Sequence, residues 1–158
     1  MSDNTGHKRT LVGELVSQLQ ARDLPLVAPE AEMEELVERL AKFRHNRLLY
    51  VVDENNRLLG TISLGILLRH YCAPSHEPRA HTRVLMHMIT VERASEMMQK
   101  HPLVTTVDEE VGLILKRMIH GNVKEVPVLD DQKRIIADLT IVDLLAFLIP
   151  HRKDKEDS

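Results

Sequence analysis

The chain has 158 residues, 43% apolar and 28% charged, which bounds it to one globular domain or two small ones sharing a core. A net charge of −3, from 21 basic and 24 acidic residues, argues against a dedicated nucleic-acid binder, and no apolar run approaches the about 20 residues that span a bilayer. One cysteine, Cys72, excludes an intrachain disulfide and fits a reducing cytoplasm, while an aromatic content of 3% leaves the core to Leu, Val, Ile and Met.

The opening "MSDNTGHKRT" is polar and reads as a disordered lead-in over 1–10, without an apolar segment of the signal-peptide kind. Residues 11–20, "LVGELVSQLQ", hold the place of a first helix, and "LPLVA" is a short extended piece. Met33, Leu36, Val37, Leu40 and Ala41 fall at i, i+3, i+4, i+7 and i+8, one face of an amphipathic helix. Leu48–Val52 is short, apolar and partly β-branched, as a buried strand is. The turn formers "DENN" join it to a second strand, Leu58–Ser63, so the two make a hairpin, and a helix comes next over Ile66–Tyr71.

"HYCAPSHEPRAH" carries two prolines and reads as a loop, and "TRVLMHMITVERASEMMQ" as mostly helical, with Met97 and Met98 seating it on the elements C-terminal to it. After the extended "HPLVTTV", the helical spacing returns at Val111, Ile114, Leu115, Met118 and Ile119. A strand over Val126–Leu129, the turn "DDQK", a strand over Ile135–Thr140 and a helix over Asp143–Ile149, stopped by Pro150, complete the order. The tail "HRKDKEDS", 151–158, is charged and expected to fray.

The elements come twice. Residues 47–68, "RLLYVVDENNRLLGTISLGILL", align without a gap on 124–145, "KEVPVLDDQKRIIADLTIVDLL", at an offset of 77: Val51, Asp53, Arg57, Leu67 and Leu68 recur as Val128, Asp130, Arg134, Leu144 and Leu145. The upstream helices align at an offset of 78, one residue having been lost from the turn of the second copy. Each copy therefore reads strand, helix, strand, strand, helix. One difference stands out. The second copy places Thr140 and Asp143 where the first has Ser63 and Ile66. On chemistry alone, a Thr ending a strand and an Asp three residues on, in the first turn of a helix, make an N-cap worth about 1 kcal/mol.

This order, with the strand "VPVLD" and the closing "DLTIVDLL", resembles a tandem pair of CBS domains, a Bateman module, over about residues 11–149. Ala137 stands where the family usually has Gly. In the first copy Tyr50 replaces the usual Pro and Ile66 the usual Asp, while Gly60 and Ser63 are kept. The resemblance implies an α+β fold of two repeats, 11–71 and 84–150, joined by a linker at 72–83 and packed sheet against sheet with pseudo-twofold symmetry. It implies clefts that hold an adenine nucleotide (AMP, ADP or ATP) or an adenosyl compound such as S-adenosylmethionine, and pairs that form a homodimer. The function so implied is a stand-alone, non-enzymatic cytoplasmic sensor acting on an effector protein, with no required cofactor and no nucleic-acid or membrane partner. The alternative is a dimerising scaffold with degenerate clefts and no ligand.

The same resemblance suggests site residues. Asp143 would accept hydrogen bonds from both ribose hydroxyls, and Thr140 would face a phosphate at the helix end, where free N–H groups favour anions. Thr105 and Thr106 would reach the ligand from the opening strand; plain β-propensity explains them as well. Val126 and Pro127 would contact it through backbone and shape. Lys124 and Arg47, at equivalent positions before their strands, are expected to meet phosphate, helped by Arg44, His45 and His120. In the first copy, Arg47, Leu49 and Ser63 would form a second, weaker cleft, because Ile66 cannot hold ribose hydroxyls and Val27 and Ala28 offer no donor side chain. His70, Cys72, His76 and His81 match no metal-ligand spacing, so no metal site is expected. No catalytic constellation or phosphate-cradling Gly-rich loop is present in the sequence.

Overall fold

The computed structural model describes residues 9–43, 46–72 and 92–153. In the first repeat β1 (Leu26–Val27) pairs in parallel with β2 (Leu48–Val52), which pairs antiparallel with β3 (Leu58–Ser63). A parallel pair needs a crossover, and α2 (Met33–Lys42) supplies it. Leu36 on its inner face is fully buried. The hairpin turn is an Asx turn: Asp53 Oδ1 accepts from the N–H groups of Asn55 and Arg57 at 2.8 and 2.9 Å. Helix α3 (Leu64–Cys72) starts directly from β3, two residues before the apolar spacing predicts.

The second repeat has the same plan. β4 (Thr105–Thr106) lies parallel to β5 (Glu125–Leu129), with α5 (Val111–His120) between them in the chain and β6 (Ile135–Thr140) on the other side of β5. The hairpins match in detail, since Asn56 (φ 60°) and Lys133 (φ 63°), 77 residues apart, take the same left-handed conformation. The last helix, α6 (Ile141–Lys153), does not stop at Pro150. Proline removes one intrahelical donor, and with only three residues left in the helix that loss ends little.

Packing divides the chain into two compact units that do not respect chain order. One combines the residues up to Arg22 with 103–131 and the chain from Ile136; the other runs from Asp23 to Pro102 and adds Gln132–Ile135. So α1 (Val12–Gln18) packs into the second repeat's core, where Val12 and Leu15 meet Val111, Ile114, Met118, Val126, Val128, Leu139 and Leu144. The short helix α4 (Ala94–Met97) packs into the first, where Ala94 and Met97 meet Leu36, Leu49, Val51, Ile62 and Leu67. This corrects the expectation that Met97 and Met98 seat their segment on the second repeat. Periodicity tells which face is apolar but not which surface covers it. Backbone bonds decide that here: Val12 N–H and Gly13 N–H donate to the carbonyls of Glu109 and Val107, and Ala94 N–H and Ser95 N–H to those of Ala31 and Pro29.

Candidate functional site

Where β6 passes into α6, Thr140 and Asp143 complete each other. Asp143 N–H donates to Thr140 Oγ1 at 3.1 Å, and Thr140 N–H donates to Asp143 Oδ2 at 2.8 Å. This is a capping box, the reciprocal arrangement that satisfies two otherwise orphan donors at a helix start. The carboxylate also sits at the positive end of the helix dipole. The first repeat keeps half of it: Ile66 N–H donates to Ser63 Oγ at 3.2 Å, and Ile66, with no acceptor to offer in return, packs against the first core. Both helices are tied to the strand before the hairpin in the same way, Leu64 N–H to the carbonyl of Arg47 and Ile141 N–H to that of Lys124, each at 3.0 Å.

A residue that sequence reasoning missed completes the cluster. Arg22, in the stretch between α1 and β1, donates from Nε to Asp138 Oδ1 at 2.8 Å and from Nη2 to the Asp138 carbonyl at 2.9 Å. The same Nη2 donates to Asp143 Oδ2 at 2.8 Å. The Asp138 side chain, on β6, is 1% exposed, that of Asp143 16% and that of Arg22 40%. A carboxylate as buried as Asp138 requires a cation and hydrogen bonds to remain charged. Burial by itself would raise the Asp143 carboxyl, but the Arg22 guanidinium and the Thr140 hydrogen bonds outweigh it and hold it below the ordinary carboxylate value. Burial pulls Arg22 down in turn, and its two carboxylate partners more than reverse that. The one signal for Arg22 in the sequence was Asp138 itself, an acid in a buried strand in need of a partner.

The other predicted residues do not all gather at this helix start. Lys124 is exposed, with Nζ donating to Asn122 Oδ1 at 3.2 Å, and its carbonyl joins it to the start of α6. Val126 is fully buried in the core and Pro127 is buried beside it. Thr106 is exposed, whereas Thr105 is 1% exposed and donates to Glu109 Oε2 at 2.6 Å. Arg117 holds the same carboxylate at 2.6 Å. The Thr105 hydroxyl therefore belongs to a Thr105–Glu109–Arg117 cluster and is not brought to Asp143 by any bond between them. In the first repeat Arg47 is exposed, Leu49 is fully buried core and Ser63 caps α3. That repeat also has a cavity of about 400 Å3, but beyond the carboxyl ends of β1 and β2, lined by Val27, Ala28, Glu35, Arg39 and Asp53 among others and by none of Arg47, Leu49 or Ser63. His120 is exposed at the end of α5, and Arg44 and His45 lie outside the described residues.

Among the described residues no group of three or more His, Cys, Asp or Glu gathers to hold a metal ion. His70 Nδ1 lies 2.6 Å from Glu92 Oε2, Cys72 is exposed, and His76 and His81 lie outside the described residues, as does most of the linker. Among the described residues, no helix is long and apolar enough to cross a membrane.

A family model for the CBS domain matches residues 16–73 and again 94–150. No curated protein sequence matches the chain. Among solved structures, a CBS domain-containing protein from Thermotoga maritima is similar at 25% identity and a TM-score of 0.69, covering 91% of this chain and 97% of the other. CBSX2, solved in complex with AMP, is similar at 20% identity and a TM-score of 0.70, covering 90% and 98%. The CBS domain pair of protein MJ0100, solved with 5′-methylthioadenosine and S-adenosyl-L-methionine, is similar at 21% identity and a TM-score of 0.65, covering 90% and 98%.

Proposed function

Since the chain belongs to the CBS-domain family, we propose that it is a regulatory module whose second repeat binds an adenine nucleotide or an adenosyl compound and whose pairs form a homodimer. The observation that carries this reading is the Asp143 carboxylate. It is partly exposed at the start of α6, and among the described residues its Oδ1 takes no hydrogen bond while Oδ2 takes two. A carboxylate so placed suits the vicinal hydroxyls of a ribose, which donate side by side. The adjoining helix start and the exposed Lys124 suit phosphate. The two neighbours solved with adenosine compounds support the ligand class. Thr105, Thr106 and the backbone at Val126 and Pro127 are assigned supporting roles in the same site, and Arg47, Leu49 and Ser63 a weaker one in the first repeat. No cofactor or catalytic step is invoked. The partner that reads the ligand is an effector protein, and the setting is cytoplasmic.

A thermal-shift screen of the purified chain against adenosine, AMP, ADP, ATP and S-adenosylmethionine tests this. A ligand at 100 times its Kd stabilises the fold by about 2.7 kcal/mol, several degrees in a protein of this size. The expected result is a shift with at least one adenosine compound that Asp143→Ala removes. A flat screen rejects the reading and leaves the second one, a ligand-free dimerising scaffold. That reading draws on the capping box, in which Thr140 and Asp143 already satisfy each other, and on Ile66, which offers a ribose nothing.

A further inference from the structure

The Asp143 carboxylate that suits a ribose is already engaged from within the chain. Arg22 Nη2 lies 2.8 Å from Oδ2, the oxygen that also accepts the Thr140 N–H at 2.8 Å. Two vicinal hydroxyls binding side by side need one acceptor oxygen each, so a bidentate ribose and the guanidinium contend for Oδ2. From this geometry we infer that Arg22 is a built-in competitor for the ligand, an autoinhibitory contact that sets how much ligand is needed to occupy the second repeat. This inference rests on the proposal that Asp143 binds the ribose.

The arrangement is suited to release at one end only. Arg22 is anchored to Asp138 by two hydrogen bonds, from Nε to the 1% exposed carboxylate and from Nη2 to the backbone carbonyl. Asp138 has interactions besides these. The Asp143 end is the more exposed one, and breaking it leaves the guanidinium paired to Asp138. A ligand therefore displaces a single charge-assisted bond without stripping the partner from a buried acid, which keeps displacement within reach of a small molecule. The equivalent helix start of the first repeat has neither acid. Thr61 and Ile66 stand where Asp138 and Asp143 stand, 77 residues earlier, and the Thr61 backbone is bridged by that of Gln99. The two acids and the arginine that joins them fall in the same compact unit, the one built on the second repeat's core.

The test measures binding of adenosine and of AMP to the full chain by calorimetry, in wild type, Arg22→Gln, Arg22→Lys and Asp143→Ala. Lysine keeps a cation beside Asp138 if glutamine does not fold, yet its single ammonium cannot span both acids as the fork does. Arg22→Gln and Arg22→Lys are expected to bind adenosine about tenfold tighter than wild type, the worth of one charge-assisted hydrogen bond. In the wild type, the 15N-labelled Arg22 Nη resonance should shift on saturation with adenosine. If both Arg22 variants bind adenosine no tighter than wild type while Asp143→Ala abolishes binding, the ribose site stands and the competition is refuted. If they lose AMP but keep adenosine, Arg22 is a phosphate contact and the competition is again refuted. If Asp143→Ala binds as well as wild type, or no form binds either compound, the ribose site itself falls and takes the competitor with it.

Discussion

Asp143 serves two structures with one carboxylate. With Oδ2 it caps α6 and pairs with Arg22; among the described residues Oδ1 accepts no hydrogen bond, and the side chain is 16% exposed. The first role has a pH signature whatever the ligand is. Because the folded-state carboxyl is held below its unfolded value, its contribution to stability is fully present above the ordinary carboxylate pKa of about 3.9 and is lost as pH falls through the lower folded value. Asp143→Asn removes that contribution at every pH. The variant should therefore be less stable than wild type by about 1–2 kcal/mol at pH 7, with the gap closing below about pH 4. Urea midpoints for both proteins at pH 7 and pH 3 check this, and curves that stay parallel would refute it. The Thr140–Asp143 pair was legible in the sequence because a cap is a local, three-residue relation. Arg22 was not, since it meets its acids 116 and 121 residues away and no repeat register points to it. Thr105 was legible as a hydroxyl in the opening strand, but not as the partner of Glu109, because a β-strand pattern does not say where a buried hydroxyl donates.

At the scale of elements, the order strand, helix, strand, strand, helix was readable twice, because each element is short and strongly patterned. Two things were not. Pro150 reads as a helix stop and is passed by α6. The exchange of α1 and α4 between repeats depends on backbone pairing across more than 60 residues, which composition does not record. That exchange explains a glycine. Gly60 lies on β3 opposite the chain that leaves α4: Thr61 and Gln99 exchange backbone hydrogen bonds at 3.1 and 2.8 Å. A Cβ on Gly60 would fall 2.6 Å from the Gln99 carbonyl oxygen and 2.8 Å from Met98 Sδ. The methionine can turn aside, but the carbonyl is fixed by the bridge. Gly60→Ala should cost about 1–3 kcal/mol, the range for forced overpacking. Chemical denaturation measures it, and a loss below about 0.5 kcal/mol would show that the strand moves away at little cost. The second repeat carries Ala137 at the equivalent position, so glycine there is not a requirement of the hairpin itself.

At the scale of the whole molecule, what remains is apolar surface that the described residues leave exposed. Helix α6 buries Leu144 fully and packs Phe147 and Leu148 against the second core, yet Val142, Leu145 and Ile149 are 72%, 46% and 56% exposed. Helix α3 buries Leu67 and leaves Leu64, Leu68 and Tyr71 40%, 51% and 69% exposed. In each helix the exposed residues recur at three- or four-residue intervals, so each forms a continuous stripe and not a scatter of the kind ordinary surfaces carry. A helix apolar on both faces belongs in an interior, and a stripe of this kind marks a contact surface. A second copy of the chain is the occupant that the homodimer proposal supplies, since an interface between two identical copies is self-complementary. Placing a charge in the middle of such a contact costs several kcal/mol if the charge is buried unpaired and nothing if the stripe faces water. Val142→Asp combined with Leu145→Asp should therefore convert a wild-type dimer into a monomer without unfolding it, because neither side chain belongs to the core. Sedimentation equilibrium of both forms, with far-UV circular dichroism to confirm folding, decides the matter. A wild type that sediments as a monomer would refute the homodimer, and a doubly substituted chain that still dimerises would place the contact elsewhere; either result frees these stripes for the effector.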